Sequence, residues 1–331
     1  MKSIAEWLKE KTEPFYDEVP SDKYGVAPEE RNIELHLEYG FIPLDKPPGY
    51  SSFEVVSWVK RMLNVKRAGH SGTLDPSVSG LLPIAINSAT KALSALLLGP
   101  KEYIAVMKLH EKVPNEKVVE ALNMFKGMIY QRPPVRSSVK RSIRIRKVYE
   151  IEILENDERF YLLRLLVESG TYIRKIIYDV GELLKVGATM VDLRRVRVSD
   201  YTESDGLVKL QDVWEATKAY KDSKDETKLR IVIMPIEIAL KHLKPIIVKN
   251  SAIGSICNGA PLALPGISRA DPSIEANEWV ALYSVKGEIV AIGKTLVSFK
   301  EMETMQKGIV VNVDRVIMKQ DTYPKIWKAH Q

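Results

Sequence analysis

One carboxylate in this 331-residue chain sits in a turn built to display it. The run Gly69-His70-Ser71-Gly72-Thr73-Leu74-Asp75-Pro76 is closed by Gly80-Leu81-Leu82-Pro83. Gly admits backbone angles other residues avoid, and Pro fixes its own φ, so such a turn holds Asp75 in one orientation. An ordinary aspartate is ionised at neutral pH and serves as a nucleophile or a base. The same composition also suits a plain turn, where Asp bonds its own backbone. Tyr103, in Lys101-Glu102-Tyr103 at the head of an alternating run, offers a π face and a phenol, or simply packs in a sheet. Gly170-Thr171-Tyr172-Ile173-Arg174 places a guanidinium at the start of a helical pattern. An arginine there pairs with a carboxylate or faces solvent. Arg132, Arg136, Lys140, Arg141, Arg144, Arg146 and Lys147 fall within sixteen residues that contain no acid. Such a cluster grips a polyanion without reading its sequence, or forms a solvated face.

Elements that could position these groups are legible around them. Ser51 and Glu54 form a capping box for a helix whose apolar face is Val55, Val56, Val59, Met62 and Leu63. From Tyr103 to Leu109 the side chains alternate, with Tyr103, Ala105, Met107 and Leu109 on one face. Residues 160–167 are mostly apolar and read as a central strand. Gly170-Thr171 starts a helix, with Ile173, Ile176, Ile177, Val180, Leu183 and Leu184 on one side and Gly187 as its stop. Residues 191–198 return to strand. Strands and helices interleave without regular βαβ spacing, so the fold class is α+β. After Lys244 short apolar runs separated by Gly and Pro mark a small all-β unit. Four segments result: an extension over 1–38 that drapes on another part of the chain, a main domain over 39–243, the β unit over 244–322, and a tail over 323–331.

Composition narrows the function classes. Net charge is +6, from 49 basic and 43 acidic residues, which favours an anionic partner. No apolar run is long enough to span a membrane, and 1–7 lack the apolar core of a signal peptide. Cys257 is the only cysteine. It forms no internal disulfide or cysteine metal cage and fits a reducing, cytoplasmic setting. His70 has no carboxylate or thiol cluster at ligand spacing, so no metal site is expected.

The octet around Asp75 resembles the catalytic loop of the TruB/dyskerin family of RNA pseudouridine synthases. The resemblance extends to Lys101-Glu102-Tyr103, to 170–174, and to 131–140, which resembles the family's Gln-x-Pro-Pro-x-x-Ser-x-x-Lys stretch. It implies a mixed, mainly antiparallel sheet with flanking helices, followed by a PUA barrel that binds RNA. Uridine would be isomerised to pseudouridine without cofactor or metal. In that reading Asp75 is the nucleophile, Tyr103 stacks on the flipped base or handles protons, and Arg174 pairs with Asp75 and meets phosphate. Tyr172, Leu193 and His70 line the substrate pocket. Lys46, Arg132, Arg136, Lys140, Arg141, Arg144 and Arg146 bind RNA, and the Lys46-Pro47 turn also packs beside the loop.

Three features resemble the dyskerin branch, whose members act inside box H/ACA particles on ribosomal RNA and can also act on transfer RNA. They are the Arg-dense 131–147 segment, the short 27-residue interval between Tyr103 and Gln131, and the PUA-like C-terminal region with its Tyr323-Pro324-Lys325-Ile326-Trp327 ending. Absence of Lys-rich tails resembles archaeal members. The resemblance implies a guide RNA, a substrate RNA and three further H/ACA proteins as partners. The alternatives are a stand-alone transfer-RNA pseudouridine-55 synthase, a catalytically silent RNA-binding scaffold, and a metal-dependent hydrolase.

Overall fold

The computed structural model describes residues 2–132 and 142–324. The chain begins with α1 (Ile4–Lys11), β1 (Glu13–Pro14), α2 (Ile33–Glu38), β2 (Gly40–Lys46) and α3 (Ser52–Leu63). Next come β3 (Ala68–His70), β4 (Ser79–Ile86), α4 (Leu93–Leu98), β5 (Lys101–Leu109), α5 (Asn115–Asn123), β6 (Gly127–Gln131), β7 (Arg144–Asp157) and β8 (Phe160–Val167). The main domain closes with α6 (Ile173–Leu183), β9 (Ala188–Val198), β10 (Tyr201–Thr202), α7 (Leu210–Ser223), α8 (Thr227–Val232) and β11 (Met234–Pro235). The C-terminal unit holds β12 (Lys244–Val248), α9 (Asn250–Cys257), β13 (Leu262–Ala263), β14 (Ile267–Ala270), β15 (Trp279–Tyr283), β16 (Ile289–Thr295), α10 (Phe299–Thr304) and β17 (Ile309–Val316).

Among the described residues, one sheet has ten strands, in the order β11-β2-β4-β9-β5-β8-β7-β6, with β3 on β4 and β10 on β9. Its pairings are antiparallel except β4 with β9. The apolar run at 81–86 divides between two cores. Leu82, Ile84 and Ile86 pack under α3, α5, α6, α7 and α8, whereas Leu81 and Ala85 face the C-terminal unit. Burial on both faces explains why β4 shows no polar alternation. The capping box at Ser51 and Glu54 starts α3 as its spacing predicts. Strand β8 lies between β5 and β7, yet alternates: Tyr161, Leu163, Leu165 and Val167 are buried and Phe160 is exposed. Helix α6 begins two residues later and ends earlier than the sequence pattern predicts. Gly170 takes φ +80° and the Thr171 hydroxyl donates to Glu168, so 170–171 form a turn rather than helix. At the other end Lys185 already has φ +60°, and the Gly187 N–H returns to the Gly181 carbonyl.

Seven strands form the second sheet, β1-β14-β12-β15-β16-β17-β13. Its core also takes in Ile253 and Ile256 of α9 and Phe299 and Met302 of α10, helices the spacing of apolar runs leaves unmarked. The N-terminal segment lies against this sheet: Glu13 pairs with Ala270 and Pro14 with Arg269.

A buried ion pair joins three parts of the chain. Arg31 donates to both carboxylate oxygens of Glu237, at 3.1 and 2.6 Å, and Glu237 also accepts the Ile289 N–H at 3.0 Å. Both side chains are almost fully buried. Removing one partner strands a buried charge, so Glu237→Gln is expected to lower stability by about 3–5 kcal/mol. Thermal unfolding checks this, with Glu158→Gln at the exposed Lys112 pair as a control expected to change nothing measurable.

Candidate active site

The loop between β3 and β4 carries Asp75, and its backbone is tied down along its length. The Ser52 hydroxyl, in the first turn of α3, accepts the Leu74 N–H at 2.9 Å and donates to the Leu74 carbonyl at 3.1 Å. The Leu74 side chain is buried beneath. The Asp75 carbonyl accepts the Val78 N–H, closing a tight turn. Gly72 takes φ +78° and Gly80 φ +100°. A Cβ on Gly80 would overlap the Arg195 carbonyl oxygen, so both the angle and the close strand approach require glycine there.

Lys46 lies at the end of β2 and is wholly buried. Its ammonium donates to the carbonyls of Val78 at 2.7 Å, Pro47 at 3.0 Å and Pro76 at 3.1 Å. This corrects its place among the RNA-binding residues. A side chain with no exposed surface and three backbone acceptors fastens the loop and reaches no RNA. Burial pushes the Lys46 amine below its usual value, and the Asp75 charge acts in the opposite direction. Lys46→Met leaves the Val78 and Pro47 carbonyls without this donor, while Pro76 keeps the Gly49 N–H. Each buried carbonyl left unpaired costs about 1–3 kcal/mol. A lower melting temperature in thermal unfolding is the expected result.

Arg174, the second residue of α6, forms an ion pair with Asp75 through Nη2 and Oδ2. Both side chains are 42% exposed, so the pair opens to solvent, while Leu74 and Val78 on either side of Asp75 are buried. The start of α6 is itself held in place. Gln131, 2% exposed at the end of β6, donates to the Tyr172 carbonyl at 3.1 Å and accepts the Tyr172 N–H at 3.0 Å. One carboxamide thus fixes the residue that caps α6, two positions before Arg174. In the β6–β7 ladder Arg144 stands opposite Gln131 and Arg146 opposite Ile129, so both share the Gln131 face. The Arg146 guanidinium lies against Gly170 and 3.7 Å from Glu168. Arg132 is exposed at the end of β6. Arg136, Lys140 and Arg141 lie outside the described residues.

Tyr103 and Leu193 meet the loop through a shared strand face. Across the β5–β9 ladder Tyr103 stands opposite Arg195 and Ala105 opposite Leu193. Directly opposite residues point to the same side, as do positions two apart. Tyr103 is half-buried and Leu193 is 7% exposed. Arg195 on that face donates from Nη2 to the Gly72 carbonyl, which connects the strands to the loop. His70 sits at the base of the loop on β3, half-buried, with Nδ1 lacking a partner among the described residues. Burial, reinforced by the Arg195 charge, holds its imidazole below the usual value and therefore neutral at neutral pH.

Ser52, Gln131 and Arg195 are the positioning groups that sequence reasoning does not find. Ser52 is hidden beside the capping Ser51. Arg195 leaves a trace as a cation two residues from Leu193, on a face where alternation calls for an apolar side chain, and Gln131 heads the 131–140 motif without a role assigned to it.

The arrangement is a half-exposed carboxylate on a pinned loop, paired with a guanidinium at a helix start, beside a strand face carrying a tyrosine and an apolar wall. Known proteins share this framework. Residues 60–173 match the TruB family pseudouridylate synthase N-terminal domain, and 174–241 the tRNA pseudouridylate synthase B C-terminal domain. Residues 244–317 match the PUA domain and 16–56 the DKCLD domain. The protein named Probable tRNA pseudouridine synthase B from Pyrobaculum aerophilum is 48% identical over 95% of this chain and 94% of its own length. Its namesake from Pyrococcus horikoshii is 48% identical over 92% of this chain and 91% of its own. An archaeal box H/ACA sRNP Nop10–Cbf5 crystal structure superposes with TM-score 0.88 at 43% identity, covering 99% of each chain. An H/ACA RNP bound to a substrate RNA containing 2′-deoxyuridine gives TM-score 0.88 at 42% identity, over 96% of this chain and 98% of the other. With its carboxylate loop, tyrosine strand and arginine helix in these positions, the chain belongs to the TruB family of pseudouridine synthases, isomerases that act on RNA.

Proposed function

We propose that this protein is the catalytic subunit of a guide-directed particle, isomerising uridines that a box H/ACA RNA selects. The observation that carries the reading is the Asp75–Arg174 pair, a carboxylate held by a guanidinium at the open edge of an otherwise immobilised loop. Uridine buried in a helix hides its glycosidic bond, so the target must be extruded. Tyr103 stacks on the extruded uracil, Leu193 and Tyr172 wall the pocket, and neutral His70 supports the opened RNA. Arg174 aims Asp75 and meets phosphate. Asp75 attacks covalently, the carbon–nitrogen bond breaks, the base turns, a carbon–carbon bond forms, and the bond to Asp75 breaks to free the carboxylate. The C5 proton leaves as N1 gains one, so the product is an isomer of the substrate. Attack at ribose or at the ring starts from the same carboxylate.

The guide-directed branch is favoured by full-length likeness to Cbf5 chains solved with Nop10, with Nop10 and Gar1, and in an RNP with substrate RNA. We accordingly assign this chain a guide RNA, a substrate RNA and three H/ACA protein partners. The second sheet, with residues 4–26 lying along it, acts as the guide-RNA anchor, and Arg132, Arg144 and Arg146 grip the backbone near the target. A buried, unpaired Cys257 accords with a cytoplasmic setting. Among the described residues no helix is long and apolar enough to cross a membrane. The names of the Pyrobaculum and Pyrococcus relatives favour a second substrate, transfer RNA. Pseudouridine is measured on ribosomal-RNA-like and transfer-RNA-like substrates, with and without guide RNA and partner proteins. Guide-dependent product supports the particle enzyme. Equal product from the protein alone moves it to the stand-alone class, and no product in any mixture leaves only an RNA-binding scaffold.

A further inference from the structure

Arg195 is among the largest fully buried side chains of the chain, and a carboxylate partner is missing. It is 1% exposed and forms no ion pair among the described residues. A buried cation without a counter-ion costs several kcal/mol unless its surroundings compensate. Its donors go to backbone: Nε to the Leu81 carbonyl at 2.9 Å, and Nη2 to the Gly72 carbonyl at 2.9 Å. Those carbonyls flank the Asp75 turn, Gly72 before it and Leu81 after it. Nη1 lies 3.2 Å from where a Gly72 Cβ would stand, so the glycine leaves room for the guanidinium. Across the ladder from Arg195 is Tyr103.

The charge of Arg195 acts on basic groups near the loop. With burial, it lowers His70, Lys46 and Lys101, the last to about 7. Lys101 donates to the carbonyls of Leu96, Leu97 and Gly99, and Lys46 to three more, so these ammonium groups face backbone rather than acids. The Asp75 carboxylate acts on Lys46 in the opposite direction. Arg195 therefore stands beneath the loop as a buried charge that pushes the neighbouring basic groups toward their neutral forms.

We propose that Arg195 is a positioning residue for the isomerisation: it laces both ends of the Asp75 loop to the Tyr103 strand face and supplies a fixed buried charge beneath the loop. The inference rests on Asp75 as the reacting carboxylate. Arg195 touches no RNA, so its loss shows in the chemical step and not in binding. Displacing a reacting group by about 1 Å costs on the order of 10²-fold in rate.

Arg195→Met, Arg195→Lys, Gly72→Ala and Asp75→Asn are compared with wild type on whichever RNA the wild type modifies, in the assembled particle where guide RNA is required. Single-turnover rate at saturating RNA, RNA Kd and melting temperature are measured. Arg195→Met is expected to lose about 10²-fold in rate with Kd within about threefold. Arg195→Lys keeps the charge and reaches one carbonyl, so it recovers part of the loss. Gly72→Ala crowds the guanidinium from the other side and slows the same step. A folded Arg195→Met at wild-type rate overturns the proposal, as does a loss carried by Kd or a Lys variant no better than Met. Should the Met variant not fold, wild-type rates in both Arg195→Lys and Gly72→Ala overturn it. Retained activity in Asp75→Asn instead removes the assignment of Asp75, and this inference with it.

Discussion

Asp75→Asn is expected to abolish pseudouridine formation, by at least about 10⁴-fold, while leaving RNA affinity near wild type. The scale is that of deleting a nucleophile whose supporting groups remain in place. Asparagine is isosteric, so the turn closed by the Val78 N–H on the Asp75 carbonyl is kept, as are the Lys46, Ser52 and Arg195 bonds to the loop backbone. What is lost is the negative charge and the attacking oxygen pair. The Arg174 pair is 42% exposed on both sides, so losing its attraction changes stability by no more than a surface ion pair does. A melting temperature close to wild type is the check that the loop survives. Single-turnover product at saturating RNA is the measurement. Product from the Asn variant at a tenth of the wild-type rate or above removes Asp75 as nucleophile.

The Asp75–Arg174 pair is legible in the sequence, whereas the groups that support it are not. Asp75 and Arg174 stand in contiguous motifs, and their meeting follows from the loop before β4 and the start of α6 lying together at one end of the sheet. The helix at Ser51 and the alternation at 103–109 were readable because capping and period are local properties. Lys46, Ser52, Gln131 and Arg195 act on backbone carbonyls and amides distant in sequence, and nothing in composition marks such a partner. Lys46 shows the limit most clearly. A lysine beside two prolines reads as a surface cation, yet β2 is buried on both faces, and the ammonium had to find three carbonyls. The extended reading of 160–167 was right, but its one-sided burial depended on which strands flanked it. Boundaries of α6 were misplaced by two local conformations, Gly170 and Lys185 at positive φ, that periodicity does not encode.

Arg174→Lys is expected to lower the isomerisation rate by about 10²–10³-fold, the scale of removing one oriented donor from a reacting centre. The substitution keeps one positive charge at the second residue of α6, so it separates charge from geometry. A guanidinium holds a carboxylate through a planar fork, and its aim is set here by the helix start that Gln131 fixes at Tyr172. Lysine offers a point charge on a flexible stem, which leaves Asp75 free to rotate away from the extruded uridine. RNA affinity changes little, because one cation replaces another and the remaining basic groups of β6 and β7 are untouched. Arg174→Met removes the charge as well and is expected to be slower still. Rate and affinity measured together decide the role. A fall confined to the single-turnover rate assigns Arg174 to aiming Asp75, whereas equal falls in rate and affinity make it a phosphate contact. A Lys variant at wild-type rate shows that charge alone suffices and that the fork geometry at α6 is not used.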